Sequence, residues 1–589
     1  MYMLDLLNKH LYGFSDTFFK LYGNYVVRLM GDRYDICNKN IPGFIPFICS
    51  IANVPITVFD KMCIKNDLTE YYAFLEKKSI ESTDKDLLNL LEKHEIEYTH
   101  SGEELLSHSH GQLSADEICR IHSGDYKKIQ CVDLAIYPTT TDQLRLIYDY
   151  AKKIKQMKLL PFGGGTNVTG CLMIHRESDI DYYISVDMRK YNNVLQINEE
   201  NNYAVIQSGA CGKEIEKCLN ARGFTMGHEP DSYEFSTLGG WISTNASGMR
   251  RGMYGNIEEI VIDFGYINDY TKTIDTRFPV RHSHGPNPNL LFYGHEGNYG
   301  IITEVLVNIK RLPVDKYFNS ILFYNMTDGI AFLKDVYDAN LRPSSIRLVD
   351  NEQFKFGQAL KPEKTSFFEK LIDKLKKFYL LRILGFNVDK MVACTLMIEG
   401  TTVSNKFTFE EIKRIATKYH AVFGGSENGR AGYNLTHSIA YIRDFTMDYR
   451  FLGETFETSI EWSKIETMGE AVKQKLRDIS SEYIKTCPFL SYRVSQCYNT
   501  GVCVYFTFGF YNDPEKSCEE GIAIYHKMEK SMRETMTKFG GSISHHHGIG
   551  QVKADELIAV TDKQQIELHK RIKRIFDDKQ MFSNNNYLQ

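Results

Sequence analysis

Two periodicities alternate along the chain. Between Cys131 and Pro313, the short apolar runs VDLAIYP, MKLLPF, YYISVDM and GIITEVLVNIK predict buried strands, bounded by glycine, proline or polar clusters. The apolar positions of DQLRLIYDYAKKIK recur at helical spacing, and Thr140 with Gln143 makes a capping box at its start. VLQINEENNYAVIQSGA predicts a hairpin turning at Glu199–Asn202, and GKEIEKCLNARG a helix that Gly223 ends. IEEIVIDFGYIN reads as a further strand. Beyond Pro313, strands at SIRLVD, VACTLMIEG, SYRVSQCY and VCVYFTFGF are separated by long helices. In the last of these strands Val504, Phe506, Phe508 and Phe510 share one face, with Cys503, Tyr505 and Thr507 on the other.

This pattern predicts an α+β protein. Residues 1–130 carry short helical runs such as Asp84–Lys93 and form an accessory, partly helical N-terminal region. Residues 131–315 are a glycine-rich unit, 316–560 a second α+β domain, and 561–589 a closing segment. The run Ile41–Phe59 has no charge over its length, but Pro42, Pro46 and Pro55 would break a spanning helix. A buried segment or an in-plane surface contact is the expectation. With 70 Lys and Arg against 75 Asp and Glu, the chain lacks the basic excess that nucleic acid requires. The 13 cysteines form no CxxC pair, so reduced thiols are expected and a structural zinc site is not.

Three loops carry the chemistry. Pro161–Gly170, PFGGGTNVTG, follows a strand, and its three glycines let backbone N–H groups approach one point, as a pyrophosphate cradle needs. A plain structural turn could use the same glycines. The loop is neither a GxGxxG fingerprint nor a P-loop, for it lacks the lysine. GHEPDSYEFSTLGG, from Gly227 to Gly240, runs into WISTNASGM, and its hydroxyls and carboxylate suit ribose, phosphate and ring edges. GHEGNYGIIT, from Gly294 to Thr303, places three more glycines before a strand.

In this order and spacing the loops resemble the flavin-binding domain of the vanillyl-alcohol-oxidase superfamily, the FAD-linked oxidases. The later segments SIRLVDNEQFKFGQALKP, KKFYLLRILGF, AYIRDF, LGETFETS and GGSISHHHGIG are similar to the alkyldihydroxyacetonephosphate synthase family. The resemblance implies a two-subdomain FAD-binding domain, an α+β cap domain for substrate, and a C-terminal segment that returns to the flavin domain. It implies FAD, held without a covalent link, although His295 stands beside the third loop where serine is usual. The implied cofactor contacts are Phe162, Gly163, Gly164, Gly165, Thr166, Asn167 and Val168 in the first loop. They continue with Asp231, Ser232, Tyr233, Glu234, Phe235, Ser236 and Thr237, then Thr244, Asn245, Ala246 and Ser247. The third loop adds Glu296, Gly297, Asn298, Tyr299, Gly300, Ile301 and Ile302. Departures from the family pattern fall at Asn167, where serine is usual, at Cys171, where glycine is common, at Asn245, where arginine is common, and at Asn298 and Tyr299, where threonine and leucine are usual.

By the same resemblance Tyr505 matches a catalytic tyrosine, Arg443 the substrate-binding arginine, Arg347 a second essential arginine, and His545, His546 and His547 the catalytic histidine run. Read from the residues alone, either arginine could be half of a structural ion pair, and Tyr505 could be a packing residue. On a strand His545 and His547 would share a face, but no carboxylate or cysteine nearby in sequence completes a ligand set, so no metal is expected. The implied reaction is ether-lipid synthesis: the acyl group of acyl-dihydroxyacetone phosphate is exchanged for a long-chain fatty alcohol, with a nucleophilic flavin nitrogen and no net redox. A FAD-dependent dehydrogenase of a D-2-hydroxy acid is the alternative. Peripheral membrane contact, a homodimer and a peroxisomal location are further implications. No clear targeting signal is present, and a cytoplasmic, membrane-associated location is the alternative.

Overall fold

The structure, a computed structural model, describes residues 11–63, 67–111, 115–123, 129–274, 280–281, 283–364, 366–582 and 588. The chain divides into two compact units, one of Met1–Ile64 with Pro313–His545, the other of Lys65–Leu312 with His546–Gln589. Both mix helices with sheets, as the α+β expectation requires.

The second of these units carries the three glycine-rich loops. One sheet runs Glu97–Thr99, Leu134–Tyr137, Tyr182–Asp187, Met157–Phe162, the first pair antiparallel and the others parallel. Its buried apolar side chains, Leu134, Ile136, Leu159, Ile184 and Val186, pack with Leu144 and Ile147 of the helix Thr141–Ala151. Thr140 accepts the Gln143 N–H at 3.2 Å, but Gln143 reaches back to the Thr139 N–H, so the expected capping box is displaced by one residue. A second, antiparallel sheet runs Val261–Ile267, Ile301–Asn308, Tyr203–Gln207, Val194–Asn198, and contains the predicted hairpin. IEEI is not strand but one helical turn, Ile257–Ile260, capped by Asn256 and Glu259.

The other unit is built on a seven-stranded antiparallel sheet. Its order is Val422–Phe423, Asp315–Phe323, Val392–Gly400, Ser345–Val349, Phe489–Cys497, Gly501–Tyr511, Phe451–Glu461. The alternation read at Gly501–Tyr511 holds. Phe506 stacks on Phe456 at 5.1 Å and Phe508 on Tyr525 at 5.4 Å. Two glycines let helices approach this apolar face: a Cβ on Gly329 would meet Leu348 at 2.7 Å, and one on Gly469 would meet Tyr492 at 2.7 Å.

The boundaries differ from those expected, for reasons of backbone pairing. The region 1–130 splits. Its first part is tied to the seven-stranded unit by Cys63 N–H to the Asp448 carbonyl (2.7 Å), Cys487 N–H to the Ala52 carbonyl (3.2 Å) and Tyr12 N–H to the Asp444 carboxylate (2.9 Å). Its second part joins the loop-bearing unit, where Tyr71 donates to the Ile129 carbonyl at 2.8 Å. The return to the loop-bearing unit begins at His546 rather than at 561, because Gln551 and Val552 donate to the Thr169 carbonyl and Leu159 donates to the Met581 carbonyl. The Ile41–Phe59 run is a nine-residue helix, Phe44–Ala52, and a following single-turn helix, with Ile41, Phe44, Ile45 and Phe59 buried. Phe44 and Phe47 pack on Phe356, so the run is core and not a surface contact. Among the described residues no helix is long and apolar enough to cross a membrane. Cys37, Cys49, Cys63, Cys131, Cys171, Cys211, Cys218, Cys394, Cys487, Cys497 and Cys503 are free thiols.

Candidate functional site

In the loop-bearing unit the candidate site is made of backbone. Met157–Phe162 ends in the Gly163–Gly165 turn, which is pressed against the Asp231–Thr237 turn. A Cβ on Gly163 would lie 2.4 Å from Thr237 Oγ1, and one on Gly164 2.1 Å from the Phe235 carbonyl oxygen. Gly165 adopts φ +64°, which side chains disfavour. Asn167 explains its own departure from serine: its Oδ1 accepts the N–H groups of Thr169 (3.1 Å) and Cys171 (2.9 Å), folding the loop end on itself.

The second and third loops meet at the end of the helix Leu238–Thr244. Asn245 takes the left-handed cap position (φ 51°), a conformation asparagine tolerates better than arginine. Glu296 donates its N–H to the Ser243 carbonyl at 2.7 Å, and Gly294 to that of Ile242 at 3.1 Å. Asn298 donates to the His295 carbonyl, and Tyr299 joins the core around Phe292 and Phe576. His295 is buried. It accepts the Tyr299 N–H at Nδ1 (3.2 Å) and meets Ser243 Oγ at Nε2 (3.2 Å), so both nitrogens serve the fold. Burial, with the Lys573 cation, pulls its pKa down to about 3.

Among the described residues, Asn245 Oδ1 and both ring nitrogens of His228 are buried without a hydrogen-bond partner. His228 lies edge-on to Trp241 at 4.8 Å, and burial above all lowers its pKa to about 3. Orphaned buried polar atoms beside a cradle that admits only glycine fit a polar ligand of dinucleotide type, and hence FAD.

Glu296 has a further role that sequence reading missed. Its carboxylate, in the same unit, accepts the N–H groups of Ile549 (2.7 Å) and Gly550 (2.9 Å) just past the histidine run. Burial raises its pKa to about 7, opposed by those two N–H groups and by Lys553. His546 and His547 lie in this unit, their rings edge-to-face at 4.7 Å. The run 545–547 is bend, not strand, so the expected sharing of a face by His545 and His547 does not arise.

In the other unit the candidate site is one face of the seven-stranded sheet. Register sets Val349 opposite Arg493, Arg493 opposite Tyr505, and Tyr505 opposite Glu457. Paired residues share a face, and so do residues two apart, which adds Arg347, Thr455 and Cys503. The Tyr505 hydroxyl lies 3.1 Å from Thr455 Oγ1, and the Arg493 guanidinium sits 4.1 Å over its ring. Arg347 donates to Thr436 Oγ1 at 2.7 Å and lies 5.1 Å from the Tyr433 ring centroid. Arg443, on the helix Tyr441–Met447, is held by Glu454 (3.2 Å) and Asp444 (3.1 Å), carboxylates that keep it charged despite burial. Thus Tyr505 and Arg347 share a face, while Arg443 is paired with Asp444 and with Glu454, which register sets opposite Phe508 on the other face of the sheet.

The Tyr498 hydroxyl and His545 Nε2 share a hydrogen bond at 2.6 Å, and the backbone N–H of His545 donates to Glu457, which also accepts from Ser544 (2.8 Å). Glu457, Cys503 and His545 bring potential ligand atoms within 4.8 Å of one another, so the expectation that no carboxylate or cysteine lies near the run is corrected. Strand pairing supplies them across more than 40 residues of sequence. Arg493, Thr455, Glu457 and Tyr498 escaped sequence reading. The alternation of LGETFETS and SYRVSQ marks their faces, but only register sets them beside Tyr505.

Comparison with known proteins bears on both units. Residues 132–276 match a family model described as FAD binding domain, and 312–587 one described as FAD linked oxidases, C-terminal domain. Alkyldihydroxyacetonephosphate synthase of Caenorhabditis elegans is 33% identical over 589 residues, covering 100% of this chain and 96% of the relative. That of Dictyostelium discoideum is 30% identical, covering 80% and 76%. A solved alkyldihydroxyacetonephosphate synthase superposes with TM-score 0.81 at 23% identity over 99% of this chain and 98% of its own.

Proposed function

The chain belongs to the alkyldihydroxyacetonephosphate synthase family, and from that premise we propose that it exchanges the acyl group of acyl-dihydroxyacetone phosphate for a long-chain fatty alcohol. The ester C1–O bond breaks and a fatty acid leaves; the alcohol oxygen forms the new C1–O bond of alkyl-dihydroxyacetone phosphate. No electron is gained or lost overall. The observation that carries the reading is the sheet face on which a buried tyrosine hydroxyl, two arginines and a carboxylate are set side by side.

FAD, held by the Gly163–Val168 loop, the Asp231–Thr237 turn and the segments 244–247 and 296–302, would supply a nucleophilic ring nitrogen at C1. The remaining work belongs to side chains. Tyr505, its hydroxyl paired with Thr455 and its ring under a cation, is suited to moving a proton at C1. Arg443 holds the phosphate, a group that a planar guanidinium can grip with two N–H donors, in competition with Glu454 and Asp444. Arg347 orients substrate from the same face as Tyr505. His545, His546 and His547 assist proton transfer, with His545 fixed by Tyr498.

Since the substrates are lipids, peripheral membrane contact is part of the proposal. A homodimer and a peroxisomal location are its family-based parts, with a cytoplasmic, membrane-associated location as the alternative. The test is incubation of the FAD-loaded protein with acyl-dihydroxyacetone phosphate and labelled hexadecanol. Labelled ether product is expected; FAD reduction by a 2-hydroxy acid without ether product would favour the dehydrogenase instead.

A further inference from the structure

The helix Phe367–Phe378 buries none of its residues. Phe367, Phe368, Leu371, Ile372, Leu375 and Phe378 are between 43% and 75% exposed, and at helical spacing they form one continuous arc. Tyr379 and Ile383, both exposed, extend it through the following turn. An apolar stripe of this length turned to solvent is unusual in a folded unit, where such a face is ordinarily packed on a core. It is not a loosely held end. Leu380, Leu381 and Leu384 pack with Leu322, Met391 and Ala393, the Phe386 ring stacks on Tyr324 at 4.0 Å, and Tyr324 donates to the Leu384 carbonyl at 2.7 Å. The fold thus anchors the far end of the segment and leaves the aromatic arc outward.

Charge decides what this face fits. On the polar side Lys370 is paired with Glu363 (3.0 Å), and Asp373 with Lys364 (2.8 Å). Among the described residues Lys374, Lys376 and Lys377 have no carboxylate partner. The helix therefore presents phenylalanine and leucine on one side and, along the other, these three lysines against the single further carboxylate of Glu369, a net positive face of the kind a helix lying in the plane of a bilayer interface carries. An isologous contact with a second copy would bring two lysine rows together, whereas phosphate headgroups neutralise them.

We propose that Phe367–Ile383 is the surface by which this protein docks on an anionic lipid bilayer, with the rings among the acyl chains and Lys374, Lys376 and Lys377 at the headgroups. The assignment rests on the peripheral membrane contact proposed above, and replaces Ile41–Phe59 as its element.

The experiment is flotation of the full-length, FAD-loaded protein with vesicles of phosphatidylcholine and phosphatidylserine at roughly 4:1. The wild type is expected to float, less so at high salt, and the double substitution F368E/L375E to lose binding about tenfold or more with unchanged melting temperature, since both side chains are exposed. K374E/K376E/K377E, which leaves the apolar arc intact, is expected to lose binding mainly to the anionic vesicles. Flotation of F368E/L375E equal to wild type would overturn this helix as the docking surface while leaving membrane contact standing. Failure of the wild type to float would overturn membrane contact itself. A wild-type dimer that F368E/L375E dissociates, without loss of a vesicle-bound fraction, would assign the face to a second copy instead.

Discussion

The two candidate sites are built from different materials. In the loop-bearing unit the site is backbone: glycines 163–165 against the Phe235 carbonyl and Thr237, with asparagine at the left-handed cap 245. In the seven-stranded unit it is side chains on strands distant in sequence, where Arg493, Tyr505 and Glu457 become neighbours only through register. A backbone site fails when any atom is added to it. A side-chain site tolerates changes of shape better than changes of functional group.

Gly164→Val should have the largest effect and is the direct way to break the comparison. The added side chain meets the Phe235 carbonyl at a distance no rotamer relieves, so the purified variant should be colourless and fail to take up FAD. Flavin absorbance checks this, and retention of full flavin content would show that the loop can yield.

Next comes Tyr505→Phe, which keeps the ring under Arg493 and removes only the hydroxyl. Stability should fall by about 1 kcal/mol, the scale of one hydrogen bond. Ether-product formation should fall by about a hundredfold or more at unchanged flavin content. Near wild-type turnover would remove Tyr505 from the mechanism and move the proton to His546.

Arg443→Lys should be milder. The charge between Glu454 and Asp444 survives, but the planar fork is lost, so KM for the phosphate-bearing substrate should rise before kcat falls. Initial rates at varied acyl-dihydroxyacetone phosphate distinguish the two.

The smallest effect is expected at Glu296, where the loop-bearing unit depends on a side chain after all. Burial raises its carboxyl to about 7, above its ordinary value. The stability this group contributes is therefore present at acid pH and lost as pH rises through about 7. Glu296→Gln keeps an acceptor for the Ile549 and Gly550 N–H groups but cannot titrate. Melting curves from acid to neutral pH should show the wild type losing stability relative to the variant; parallel curves would place the carboxyl at its ordinary pKa.

Most strands and helices near the three loops were legible because their signals are local. A run of buried aliphatics, Thr140 before a helix, or Gly223 at φ +76° answers to sterics and hydrogen bonds within a few residues. The glycine loops were legible for the same reason, since only glycine admits the close approach seen at 163 and 164. The flavin-type loops and the two faces of Gly501–Tyr511 are thus properties of the sequence itself.

What the sequence left open is whatever depends on a distant partner. The strand Phe451–Glu461 carries Thr455 and Glu457 on one face, but nothing in it says that Tyr505 lies opposite Glu457. Apolar runs are equally silent about their surroundings. Ile41–Phe59 has the composition of a surface anchor and is buried against Phe356, while Phe367–Phe378, broken by charges at helical spacing, holds its rings in solvent. Hydrophobic free energy depends on the area that neighbours remove from water, and those neighbours are chosen by the tertiary fold. For the same reason residues 11–63 belong with strands more than 250 positions away, a pairing that only the folded chain decides.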